Sequence, residues 1–195
     1  NIAREVAEAG MADDAIMYDG PNALTAGEAI PLGTVLGALG YAWFEAPLAD
    51  ADIGGYARVA AAAVGPEGKV YAFQPAEFIA LKKQYGDDQA AVDAAYANVD
   101  AVGGAFAAPA FPVPLDTIIT VQNFHDLYLK PFPEGTGARA RAAVFAALKP
   151  GGTLVVVDHS AADGSGTSLS DSLHRIDQAA VIEALTPAGF RLDAT

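Results

Sequence analysis

The 195-residue sequence contains no cysteine, which rules out a disulfide framework, a thiolate zinc site and a thiol nucleophile. Positive charge is scarce: 11 Lys and Arg stand against 24 Asp and Glu, a formal charge of −13. A field of that sign repels polyphosphate, so no nucleic acid is expected as a partner. Histidine occurs three times, never as HxH or at helical i,i+3 or i,i+4 spacing, so no metal site is expected from spacing. Long apolar runs are also missing. The longest uncharged stretch, Ala29–Phe44, falls short of the ~20 residues that cross a bilayer and is broken by Pro31 and three glycines. It reads as a buried segment or subunit contact, in a chain that does not span a membrane.

What is present is a globular composition, 52% hydrophobic and 18% charged, in a length suited to one main core. Residues 1–45 are weakly periodic, with a short helix expected at Ala3–Met11 and turns at Tyr18–Asn22. They are expected to pack on a domain spanning 46–195. From Ala51 onward, apolar strand-like runs alternate with helical ones. Ala51–Ile53 ends a first strand, Tyr56–Val64 is a helix, and Gly65-Pro-Glu-Gly68 stops it. Lys69–Phe73 is a strand; Pro75 opens a helix carrying Phe78, Leu81 and Tyr85 on one face, and Ala90–Ala97 continues it. Val99–Val102 is a short apolar run. Leu115–Val121 reads as a strand covered on both faces, and Thr153–Val157 as the most buried strand. Between them lies a helix over Gly137–Leu148. Ile176–Leu185 is a helix and Phe190–Leu192 begins another strand. Such alternation predicts an α/β fold with a mostly parallel sheet and helices on both faces.

In open parallel sheets, ligands bind beyond the carboxyl ends of the strands. The residues expected there are Asp52-Ile-Gly-Gly-Tyr56, Gln74-Pro75, Gln122-Asn-Phe-His-Asp126 and Asp158-His-Ser160. No G-x-S-x-G elbow, P-loop or G-x-G-x-x-G fingerprint accompanies them, which argues against a serine hydrolase, a P-loop NTPase and a dinucleotide oxidoreductase.

The segments GPEGKVYAFQPAEF, TVQNFHDLYL, ALKPGGTLVVVDHSAADGSG and LHRIDQAAVIEALTPAGF, in that order, resemble a family of bacterial predicted S-adenosylmethionine (SAM)-dependent methyltransferases. The resemblance covers about Ala51 to Leu192 and implies the class I Rossmann-like fold, SAM as cofactor and an unknown, small-molecule acceptor. It implies that Gly54, Gly55 and Tyr56 lie along the methionine part of SAM, with Asp52 near its amino group. Gln74 takes the ribose position. Asn123, His125 and Asp126 flank the methyl group, with His125 or His159 as base, and Asp158, His159, His174 and Arg175 form the far wall of the pocket. The sequence departs from the family pattern in four places. Gly54-Gly55 directly follows the expected first strand, two or three residues short of a DxGxGxG loop. Gln74 is neutral, no acidic side chain follows the third strand, and the C-terminal hairpin of the fold is missing. These departures support a second reading, an inactive methyltransferase-fold subunit serving a larger complex. Its expected contacts, to a homo-oligomer or another protein, are Ala29–Phe44 or the uncovered sheet edge. Compartment stays open between bacterial cytoplasm and periplasm.

Overall fold

The computed structural model describes the backbone of residues 39–44 and residues 55–193. The helix expected at Ala3–Met11, the turn at Tyr18–Asn22 and the strand end at Ala51–Ile53 lie outside the described residues. The chain is α/β with parallel pairing throughout its ladders. β1 (Leu39–Phe44) and β5 (Leu148–Val157) flank β4 (Leu115–Val121), while β2 (Val70–Pro75) pairs with β3 (Val99–Gly104). The ladders form two sheets, β1-β4-β5 and β2-β3, and β1 lies beside β2, so in space the strands follow the order β3-β2-β1-β4-β5. The order reverses between β1 and β4. That switch point is where a doubly wound sheet leaves a crevice at its carboxyl end.

The first strand is the main correction to the sequence reading. It is Leu39–Phe44, drawn from the end of the segment expected to precede the domain, and ten residues, 45–54, separate it from the next helix. The strand end expected at Ile53, on which the reading of a short glycine loop rests, lies outside the described residues. Leu39–Phe44 pairs along β4, so this end of the Ala29–Phe44 run is a strand of the sheet.

Helices cover both faces, as expected. α1 (Gly55–Val64) presents Ala57, Ala60 and Ala61 to Val70 and Ala72 of β2, with Val92 of α3 (Gln84–Ala95) and Val99 of β3 in the same cluster. Alanine on a helix lets it approach a sheet closely, and the strand's period of two sends the alternate residues to the other side. There Tyr71 and Phe73 join Phe78, Phe106, Leu115 and Ile118, with Val144 of α4 (Thr136–Ala147) packed against them. Gly65, in the left-handed region at φ 70°, ends α1 where a side chain would be strained.

Three further expectations fail for identifiable reasons. The helix after β2 breaks at Lys82, whose backbone is extended, giving a short α2 (Ala76–Leu81) and a separate α3. Leu81 is consequently 76% exposed instead of sharing a face with Phe78 and Tyr85. β5 is not the most buried strand: it pairs only with β4 among the described residues, and Val155 is 38% exposed. Phe190–Leu192 forms no strand; Phe190 stacks edge-on against Phe145 of α4 at 5.1 Å. No helix of the described residues is long and apolar enough to cross a membrane.

Candidate functional site

β4 ends at Val121, and the chain turns sharply at Gln122, whose φ of 57° is left-handed. The Gln122 N–H still donates to Val157 O at 2.7 Å, so the turn is anchored to β5. Asn123 follows, 1% exposed, its Oδ1 accepting from Thr120 Oγ1. Its Nδ2 has no hydrogen-bond partner. A single 3₁₀ turn, His125–Tyr128, then carries His125 and Asp126 inward, each 1% exposed.

Asp158, the first residue after β5, holds this turn. Its Oδ2 accepts the His125 backbone N–H at 2.8 Å and its Oδ1 accepts His125 Nδ1–H at 2.7 Å and the His159 backbone N–H at 2.7 Å. On the other side of the ring, His125 Nε2 is 3.2 Å from His174 Nδ1 and 3.2 Å from Asp126 Oδ1. Burial works against charge on His125. The carboxylates of Asp126 and Asp158 outweigh that penalty and push its pKa up to about 9. Both ring nitrogens thus face polar partners, and the two carboxylates favour the protonated ring. Neither Asp126 oxygen finds a hydrogen-bond donor with good geometry, although both are buried.

His174 reaches the cluster through a long return loop. The strand-like pairing of Ser160 with Ile176 closes that loop, and the short α5 (Ser170–Leu173) packs on the 3₁₀ turn, tied by an ion pair between Lys130 and Asp171 at 2.8 Å. His174 then adopts φ 52°; with Gln122 it is one of two non-glycine residues in the left-handed region among those described. Both flank the same cluster, as backbone strain at functional sites often does. Asp177 secures the far end. Its Oδ2 accepts from Gly164 and Gly166 N–H at 2.8 and 3.3 Å, and its Oδ1 caps α6 (Gln178–Leu185) through Ala179 N–H at 3.0 Å.

The hydrogen bond from the Ala179 amide, joined by those from Gly166 and Gly164, holds the Asp177 carboxyl below the usual carboxylate range. A depressed pKa contributes stability that is full above the unfolded value and is lost as pH falls through the folded one. Acid should therefore release the 162–177 loop. Hydrogen exchange at Gly164, Gly166 and Ala179 is expected to accelerate below the ordinary Asp range. In Asp177→Asn it should be fast and no longer steepen there; an unchanged acid profile in that variant would contradict the assignment.

The structure gathers His125, Asp126, Asp158 and His174 around one spot, while the Asn123 side chain faces Thr120 and lines a cavity with Ile118, Phe124, Leu127 and Val144. Gln74 is buried at the end of β2, level with Gly103 of β3. Tyr56 opens α1, half-buried, its phenol pKa raised by that burial. Gly55 begins that helix, and Asp52 and Gly54 lie outside the described residues. His159 is half-buried beside Asp158, and its carbonyl accepts from Ile176 N–H at 3.0 Å. Arg175 does not join the pocket wall: its exposed guanidinium donates to Ser160 O at 3.0 Å, closing the return loop. Residues that the sequence reading passed over are Thr120, which holds Asn123, and Asp177. The second carried a legible signal, an Asp immediately before the helix-forming Gln-Ala-Ala-Val.

No family model and no curated protein sequence matches the chain. Solved structures do. A SAM-dependent methyltransferase from Aquifex aeolicus superposes with a TM-score of 0.51 at 20% identity, over 73% of this chain and 69% of its own. A TehB-like SAM-dependent methyltransferase from Corynebacterium glutamicum gives 0.54 at 14% identity, over 98% and 81%. LepI, in a complex with SAM, gives 0.55 at 13% identity, over 90% of this chain and 45% of its own. The chain thus has the Rossmann-like fold of class I SAM-dependent methyltransferases.

Proposed function

We propose that the chain binds SAM across the carboxyl ends of β1, β2 and β4 and transfers its methyl group to a small-molecule acceptor. The observation that carries this reading is the placement of buried polar side chains, Gln74 and Asn123, at strand ends on either side of the switch point. A sheet interior has no use for them, and a ligand rich in hydroxyls and charge does. The residues fit such a ligand. Asn123 Nδ2 is a buried donor lacking an acceptor, which suits a ligand oxygen or ring nitrogen. Gln74 offers an amide to the ribose hydroxyls, and Gly55 and Tyr56 open the helix that follows the glycine segment.

SAM supplies an electrophilic methyl when bound, so the protein's share of the chemistry is alignment and exclusion of water. In this reading His125 positions its neighbours, because both its nitrogens are committed to Asp158 and the Asp126–His174 side. His174, exposed at the mouth of the cluster, is the group an acceptor meets first. His159 is the alternative proton acceptor, since among the described residues no carboxylate engages its ring.

Calorimetric titration with SAM and with S-adenosylhomocysteine tests this reading. One site of micromolar affinity is expected, weakened about tenfold in Asn123→Ala by loss of one hydrogen bond. No heat at millimolar ligand, with the fold intact by circular dichroism, would overturn it and leave the inactive-subunit reading.

A further inference from the structure

We propose that His125, Asp126 and His174 form a binding site for a single first-row divalent transition ion such as Zn²⁺, Co²⁺ or Fe²⁺. Nothing in this inference depends on SAM binding or methyl transfer; it rests on side-chain geometry alone.

The three donor atoms already stand where such an ion needs them. His125 Nε2 is 3.2 Å from His174 Nδ1 and 3.2 Å from Asp126 Oδ1, and all three ligands lie within 4.8 Å of one another. Ligands about 2.0–2.1 Å from a tetrahedral centre are separated from each other by roughly 3.3 Å, so a small inward shift of the Asp126 and His174 side chains closes the set. Hydrogen bonding alone accounts for the arrangement less well. Asp126 is 1% exposed, yet neither of its oxygens accepts a well-formed hydrogen bond; its close charged neighbour is His125 Nε2 at 3.2 Å, which leaves a buried carboxylate under-coordinated. A cation at this point would satisfy it directly.

The surroundings are those of a metal-binding histidine. Asp158 accepts Nδ1–H of His125 at 2.7 Å, so that nitrogen keeps its proton and Nε2 is the one that gives up its proton to bind the proposed ion. A carboxylate behind a ligating imidazole is the usual outer partner, orienting the ring and raising its basicity. Two imidazoles and one carboxylate favour a borderline transition ion over Mg²⁺ or Ca²⁺, which prefer all-oxygen sets. Three protein ligands leave at least one position open, and His174, one of the three, is exposed. The pattern was hidden in the sequence because His125 and His174 are 49 residues apart and meet only through the Ser160–Ile176 pairing.

The full 195-residue chain, stripped with a chelator, should be titrated with Co²⁺ followed by visible absorption and with Zn²⁺ by calorimetry. One equivalent of each is expected, Co²⁺ giving the ligand-field bands of a histidine-ligated ion. Asp126→Asn and His174→Ala should each weaken binding by about 100-fold or more, and Asp158→Asn by about 10- to 100-fold. His174 is exposed, so its alanine variant tests the site even if Asp126→Asn fails to fold. Absence of stoichiometric Co²⁺ and Zn²⁺ binding, binding of Mg²⁺ in their place, or wild-type affinity in folded His174→Ala would overturn the proposal.

Discussion

Asp158→Ala is expected to lower the stability of the chain by about 3–5 kcal/mol, the cost of breaking a buried ion pair from one side. The carboxylate accepts three N–H groups, two from His125 and one from His159, and its side chain is 5% exposed. Removing it leaves a buried imidazolium facing Asp126 alone. Even if the ring sheds its proton, two backbone amides and one ring N–H remain without acceptors, each costing about 1–3 kcal/mol when buried. The 3₁₀ turn that carries His125 and Asp126 would then lose its side-chain tie to Asp158 at the end of β5. Urea denaturation of the metal-free protein reads the loss directly. A decrease below about 1 kcal/mol would mean that the clamp is replaceable by water and that the cluster is loosely held. Asp158→Asn, which keeps two acceptor lone pairs but no charge, should fall between the two.

Phe106→Ala is expected to cost about 3–5 kcal/mol by a different route, the transfer of a large ring plus the cavity left behind. Phe106 is fully buried and packs edge-on to Phe78 at 5.3 Å and tilted to Phe132 at 4.7 Å. Its backbone N–H donates to Glu77 Oε2 at 2.9 Å, so α2 is joined to the loop after β3 at the same point. Three rings from α2, that loop and the segment before α4 thus share one contact region. Phe106→Leu should restore more than half of the loss, because it refills most of the volume. Chemical denaturation checks both variants. A cost under about 1.5 kcal/mol for alanine would show that the neighbouring rings collapse into the space.

Most of the sheet was legible from local pattern. Leu115–Val121 stands out as a β-branched run, and Lys69–Phe73 and Val99–Val102 sit between helix-forming stretches, so their strands appear within a residue or two of where periodicity puts them. β1 was not legible for two reasons. Leu39–Phe44 ends a longer apolar, glycine-broken run with no turn signal before it, and Asp52-Ile-Gly-Gly further on mimics the loop expected just after a first strand. Exposure of β5 was equally invisible: Thr153–Val157 is as apolar as a central strand, and only the sheet order shows that its outer edge is unpaired among the described residues.

At the site, polar residues directly after strands were the readable part. His125, Asp126 and Asp158 follow β4 or β5, and the pairing of those two strands brings them together. His174 and Arg175 were assigned to one wall because they are adjacent in sequence. The left-handed backbone at His174 separates them, turning the imidazole to His125 while Arg175 holds the Ser160 carbonyl. No periodicity encodes that divergence, since it arises where a four-residue helix ends against the 3₁₀ turn.

The most direct test of the central claim is a crystal structure of the chain with S-adenosylhomocysteine. The account predicts one ligand at the carboxyl ends of β1, β2 and β4, with Gln74 at the ribose and the Asn123 amide within hydrogen-bonding distance. A ligand bound elsewhere, or those strand ends sealed by the protein's own side chains with Asn123 Nδ2 satisfied internally, would contradict it.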